Sequence, residues 1–284
     1  MSYYVICENG KIECHNMSVC KSIFEKVLNE VLFMQKTFSQ FQLKQILSSS
    51  NPNAEIELHK DEFFDFIDRY MVACEHKNFH CEGDVWEHTK LVIQKVVAEE
   101  HDWIDVLAAL LHDVGKKDAL ERNDGKNMQG HEIEGARIAF DWLVKMGFDR
   151  EAREQVLWII RNHMKALDLK VMRSKYDIWL LVKHPWFGRL QRLARADCKS
   201  TLNIDGRPRD DFDVFLKRPI VAECIEKEMP TAVVKADDFA LQKWDDVRLE
   251  KALVFCHKMQ INGGVLSKES LIRAAIKTVG GENG

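Results

Sequence analysis

The stretch from Asp102 to Lys117, DWIDVLAALLHDVGKK, restricts the fold of this chain more than any other. Ile104, Val106, Leu107, Ala108, Ala109, Leu110 and Leu111 place apolar groups around nearly the whole circumference of a helix, so that helix must be buried on all sides. Asp102 is suited to cap its start and Gly115 to stop it. His112 and Asp113 then fall in its last turn. A carboxylate there meets the negative pole of the helix dipole and loses its hydration. A bound cation would remove both penalties.

Other segments repeat the theme of one polar residue on an apolar helical face. Asp84 with Glu87 marks a helix start, and on that helix His88 shares a face with Leu91, Val92 and Val96. His131 aligns with Gly135, Ile138, Ala139 and Trp142 before a stop at Gly147. His163 ends a stripe of Ala152, Val156, Ile159 and Ile160, and Asp197 continues Leu190, Leu193 and Ala194. A single histidine on an apolar face is ordinarily structural, bonded to a backbone carbonyl. Four such positions together with His112-Asp113 make convergence on one polar pocket the simpler account. Imidazoles and carboxylates suit a borderline or hard divalent ion, and no clustered thiols point to a structural zinc site.

The remaining chain frames this helical region. Tyr3 to Cys7 and Ile12 to Cys14 flank Asn9-Gly10, the pattern of a hairpin. A helical stripe follows through Cys20, Ile23, Phe24, Val27, Leu28, Val31, Leu32, Phe38, Phe41 and Ile46, suited to core packing or to a second subunit in a homo-oligomer. SSSNPNAE at 48–55 reads as a linker, and Asp61 as the cap of a helix through Phe63, Phe64, Phe66, Ile67 and Met71. The expected organisation is an appendage over 1–55, a helical domain over 56–205 and a helical extension over 206–284. The expected class is all-α, an orthogonal helical core with a small N-terminal hairpin-plus-helix appendage. A hydrophobic content of 46% supports a sizeable core, and a net charge of −4 gives no global basic signal for nucleic acid. Eight cysteines without a C-x-x-C pair fit reduced thiols. With no apolar run long enough for a membrane span or signal peptide, the expected location is cytoplasmic.

The order His88, His112-Asp113, Asp197 resembles the HD superfamily of metal-dependent phosphohydrolases. FHCEGDVWEHT at 79–89, LLHDVGKK at 110–117, GHEIEGA at 130–136 and RLARADCKS at 192–200 are similar to the HD domain of bacterial CCA-adding tRNA nucleotidyltransferases. A weaker likeness at 236–277 resembles the tail after that domain. The resemblance implies that His88, His112, Asp113 and Asp197 hold a divalent ion (Mn²⁺, Ni²⁺, Co²⁺ or Mg²⁺). It leaves His131 and His163 either to hold a second ion or to contact the substrate phosphate. Asp113 and Lys116 are then the catalytic candidates, Lys116 by reaching a substrate phosphate, and Glu134 is a weaker general-acid candidate. His80, Arg192 and Arg195 are candidates for lining or clamping the substrate.

Two departures from that pattern matter. No Gly-Ser dipeptide or nucleotidyltransferase region accompanies the motifs, and Asp211-Phe212-Asp213 reads as a solvated loop, so CCA addition is not expected. Met164 follows His163 where related domains carry an aspartate. The implied substrates are nucleotides or RNA 3′ ends, through 2′,3′-cyclic phosphodiesterase, nucleotidase or phosphatase activity. The competing expectation is a non-catalytic nucleotide- or RNA-binding module on the same fold.

Overall fold

A computed structural model describes residues 3–7, 10–14, 21, 25, 26, 28, 39–74, 83–203, 205–208, 210–263 and 266–280. The expected all-α class holds, with one antiparallel hairpin of β1 (Tyr3–Cys7) and β2 (Gly10–Cys14) paired from Tyr3↔Cys14 to Cys7↔Gly10. Asn9 of the expected turn and most of the long N-terminal stripe lie outside the described residues. Residues 39–47 form helix α1. The chain divides into two compact units, Met1–Arg161 and Asn162–Gly284.

In the first unit, α2 (Pro52–Leu58) begins directly after Asn51, whose side chain accepts from the Ala54 amide. The expected linker at 48–55 is therefore shortened, because Pro52 supplies a preset φ at the first helical position. The single helix expected after Asp61 is also two, α3 (Lys60–Phe63) and α4 (Phe66–Tyr70), and His59 and Asp65 precede them. Phe63, Phe64, Phe66 and Ile67 are all buried. Phe64 stacks on Trp142 and Phe66 meets the same ring edge-on, while the Trp142 indole N–H donates to the Phe63 carbonyl at 2.9 Å.

Helix α5 (Val85–Val97) starts where the sequence pattern puts it. The Asp84 side chain accepts from the Glu87 amide at 2.9 Å and, through its other oxygen, from the Ala73 amide at 2.8 Å. Helix α6 (Trp103–Leu111) packs against α5 and carries a full capping box between Asp102 and Asp105. Its eight residues from Ile104 to Leu111 are all buried. Next come α7 (Lys116–Arg122), α8 (His131–Lys145) and α9 (Arg150–Asp168), with α7 packed on α8.

Gly115 does not stop α6, as the sequence suggested. Helix α6 ends at Leu111 with His112 as its cap, and Gly115 is instead the residue before α7. The reason is packing. A Cβ on Gly115 would come within 2.2 Å of the Gly135 amide nitrogen and 2.3 Å of the His131 carbonyl oxygen. Only glycine lets the turn after α6 lie backbone-to-backbone against the first turns of α8.

The second unit holds α10 (Lys175–Val182), α11 (Phe187–Ser200), α12 (Phe212–Leu216) and α13 (Pro219–Glu226), followed by a 3₁₀ turn (Ala236–Gln242), α14 (Asp246–Asn262) and α15 (Lys268–Gly280). Helix α10 packs on α13 and α14, and the last two helices pair over a small core of Val234, Phe239, Ala252, Cys256, Leu271, Ala275 and Val279. The helical extension expected at the C-terminus is present. Cys74, Cys198, Cys224 and Cys256 are buried free thiols, and no described helix is long and apolar enough to cross a membrane.

Candidate metal centre

The centre is built around one carboxylate. Asp113 is 2% exposed and lies in the turn between α6 and α7, which brings it beside His88 from α5, His112 from the same turn and His131 from α8. Three imidazole Nε2 atoms face it. His112 lies 3.1 Å and His88 3.7 Å from Oδ2, whereas His131 lies 3.2 Å from Oδ1. The Lys116 ammonium is 2.6 Å from Oδ2.

Backbone carbonyls fix two of these rings. His112 Nδ1 is 2.7 Å from the Ala109 carbonyl oxygen and His131 Nδ1 is 2.9 Å from that of Met128. A carbonyl only accepts, so each Nδ1 carries a hydrogen, and a neutral ring held this way offers its Nε2 lone pair to the centre. Lone pairs on Nε2 facing a carboxylate require a proton or a cation between them. The donor chemistry therefore fits a divalent ion, since neutral imidazole and carboxylate are the ligands such an ion takes, with the far ring nitrogen held by a backbone carbonyl. One ligand atom from each of His88, His112 and Asp113 lies within 4.8 Å of the others, and all three residues are buried.

The electrostatics agree with an ionised Asp113. Burial pushes its carboxyl upward, but with protons on the imidazoles in place of a cation, the His112 and Lys116 charges and the hydrogen bonds from His112 and His131 outweigh it, holding the group well below the usual carboxylate range. The dipole penalty expected from a place inside the last turn of α6 is softened as well. Asp113 stands at the junction where α6 ends and α7 begins, and its own carbonyl accepts from the Lys116 amide at 3.0 Å.

Several residues that the sequence marked have other partners. The Glu134 carboxylate accepts from Arg122 and lies 3.4 Å from Arg137 Nε. Within the second unit, Arg195 grips Asp213 through Nε at 3.0 Å and Nη2 at 2.9 Å, so the D-x-D segment, expected as a solvated loop, instead opens α12 with Phe212 buried and pairs with α11. Asp211 caps α12. His163 on α9 and Asp197 on α11 are buried polar residues of that unit, and the Thr201 hydroxyl lies 3.4 Å from Asp197 Oδ1. The Arg192 side chain is also on α11. His80 lies outside the described residues. Sequence reasoning missed the bonds that hold the loop before His131, for which only the run Arg122-Asn123-Asp124-Gly125 gave a signal, as a turn.

Residues 84–202 match the family model of the HD domain. Among curated proteins, the chain is 25% identical over 173 residues to a bifunctional uridylyltransferase/uridylyl-removing enzyme of Vibrio cholerae, covering 57% of this chain and 18% of that protein. It is 26% identical over 148 residues to a multifunctional CCA protein of Alkalilimnicola ehrlichii, covering 50% of this chain and 36% of that protein. The chain thus spans well under half the length of either relative.

Proposed function

We propose, from the premise that residues 84–202 are an HD domain, that this protein is a metal-dependent phosphohydrolase acting on a nucleotide or an RNA 3′-terminal phosphate. The observation that carries the reading is Asp113, a buried carboxylate facing three imidazole Nε2 atoms and one ammonium. His88, His112 and Asp113 would hold the ion. Bound there, a divalent ion supplies a Lewis acid for the phosphoryl oxygens and acidifies water near neutral pH.

The protein groups do the rest. The Ala109 carbonyl keeps His112 in the tautomer that presents Nε2, so no reorganisation is needed when a cation arrives. Lys116 balances the Asp113 charge and, with a divalent ion held there, would meet a substrate phosphate as a point charge. His131 presents Nε2 on the Oδ1 side of Asp113, suited to a second ion or to a substrate oxygen. Burial of the whole set excludes bulk water and strengthens each interaction. Support for a nucleotidyl substrate is the likeness to a protein named for removing uridylyl groups.

The test is hydrolysis of a panel of 2′,3′-cyclic nucleotides, 2′-, 3′- and 5′-monophosphates and nucleoside triphosphates with Mn²⁺, Ni²⁺, Co²⁺ or Mg²⁺. Turnover of cyclic or 2′-phosphates, lost in Asp113→Ala, supports RNA-end chemistry. Turnover confined to 5′-monophosphates or triphosphates moves the substrate to the nucleotide pool. No metal-dependent turnover of any member would leave a binding module as the better reading.

A further inference from the structure

Helix α8 turns Gly135, Ala136, Ile138, Ala139, Trp142 and Leu143 into the core, so its share of that core is complete without any residue on its outer side. The outer side is nevertheless apolar. Ile133 is 63% exposed, Phe140 46% and Val144 37%, and Arg137 stands between the first two with 57% of its side chain exposed. The four follow one another at intervals of four, three and four residues, the repeat of a helix that packs on another helix. At about 100° per residue they fall within about 60° of arc. A single exposed apolar residue is ordinary on a protein surface, whereas three on one seam form a patch.

The charges of this seam are arranged crosswise about its middle. Arg137 pairs with Asp118 of α7 at 3.0 Å and with Glu134 at 3.4 Å, and Asp141 lies 4.0 Å away with its side chain 71% exposed. Phe140 has the Arg153 guanidinium of α9 at 6.0 Å from its ring centre, so this ring already takes a cation. Glu134 is neutralised by Arg122 as well and brings no free charge to the seam. A partner of one sign would meet a like charge at either Arg137 or Asp141. A second copy laid antiparallel meets neither. With the two-fold axis between Ile138 and Ala139, Ile133 of one copy faces Val144 of the other, and Arg137 faces Phe140 in a hole that Asp141 borders. Each of these contacts then occurs twice.

We propose that the outer face of α8 is the seam of a homodimer: two copies pack antiparallel along Ile133, Arg137, Phe140 and Val144, with each Arg137 set on the other copy's Phe140 ring and beside its Asp141. The seam is short, about 17 Å at ~1.5 Å per residue. A contact of that length sits at the lower end of stable interfaces, which bury about 1,200 Å² or more in total, so the dimer forms in the micromolar range and its population follows protein concentration. The seam includes none of His88, His112 and Asp113, and the pairing stands whether or not that centre hydrolyses a phosphate.

The experiment is sedimentation velocity of the full chain under reducing conditions, from about 1 to about 200 µM, a span that brackets micromolar association. The mean mass rises with concentration from that of one chain toward that of two. Phe140→Lys, which sets an ammonium against the second copy's Arg137, removes the rise while the thermal transition is retained. Val144→Lys removes it from the far end of the seam, so the result does not hang on one residue. Leu58→Lys, at an apolar position 76% exposed on α2, leaves the rise unchanged. Arg137→Glu also loses the rise, but an equal mixture of Arg137→Glu and Phe140→Lys regains it, because the new carboxylate of one variant meets the new ammonium of the other across the axis. Damage to either variant's own fold cannot produce that rescue. A chain that stays single at every concentration overturns the proposal and leaves the seam to another occupant. Association that survives both Phe140→Lys and Val144→Lys overturns it as well, since another face then joins the copies, as does a mixture that stays single.

Discussion

The two ends of α6 each bury an aspartate, and they satisfy it by opposite means. At the N-terminal end Asp105 is 3% exposed and accepts from the Asp102 amide at 3.1 Å, while Asp102 accepts from the Ile104 and Asp105 amides. The positive pole of the helix adds to that stabilisation, and its backbone partners lie within four residues of sequence. At the C-terminal end, 2% exposed Asp113 faces side chains from α5, α7 and α8 and its own neighbour His112. A local carboxylate bonded to backbone is what helix stability requires. A carboxylate surrounded by titratable side chains from three further elements goes beyond what helix stability requires and makes sense as a site.

The sharpest way to break this contrast is to remove each carboxylate in turn. Asp113→Ala is expected to lower metal-dependent hydrolysis by about a thousandfold or more, on the scale of losing a group that acts in concert with its neighbours. Its thermal transition should fall far less than that loss suggests, and a parallel collapse of stability would make Asp113 a structural residue. Gly115→Ala tests the packing that delivers Asp113. The added methyl meets backbone on α8, which cannot swing aside, so a loss of about 3 kcal/mol is expected by denaturant unfolding. An unaltered midpoint would mean that the turn has room the backbone distances deny.

The opposite end should respond in stability alone. Asp102→Ala removes the cap of α6 and is expected to cost about 1 kcal/mol, with activity per folded molecule unchanged. Activity loss beyond the folded fraction would show that the cap reaches the site. The smallest effect should be an acid one. Asp113 is held below its unfolded value, so its ionised form stabilises the fold above about pH 4, and that contribution is lost as pH falls through the lower folded value. Asp113→Asn should therefore flatten the acid limb of a stability profile, and an identical limb would contradict the assignment.

What could be read from sequence follows the same divide between local and distant partners. The cap at Asp102, the start at Asp84-Glu87 and the burial of His88, His131, His163 and Asp197 on apolar faces all follow from spacing within one helix. The end of α6 was placed too late because Gly115 serves a contact with Gly135, 20 positions further on, rather than a helix stop. The pairing of Arg195 with Asp213 and the hold of Arg122 on Gln129 and Glu134 were likewise hidden. Each depends on how a loop returns, and no local periodicity encodes that. The polar set was legible because its residues are polar where the helical pattern demands apolar ones, whereas the HD likeness rested on the longer motifs around them.

The most direct test of the central claim, that the end of α6 is a metal centre, is calorimetric titration of the chelator-treated full chain with Mn²⁺, repeated with Ni²⁺, Co²⁺ and Mg²⁺. The account predicts saturable binding of at least one of these ions, abolished in Asp113→Ala and weakened in His112→Gln while both variants stay folded. Binding that is indifferent to both substitutions, or no binding of any of the four ions, would contradict it.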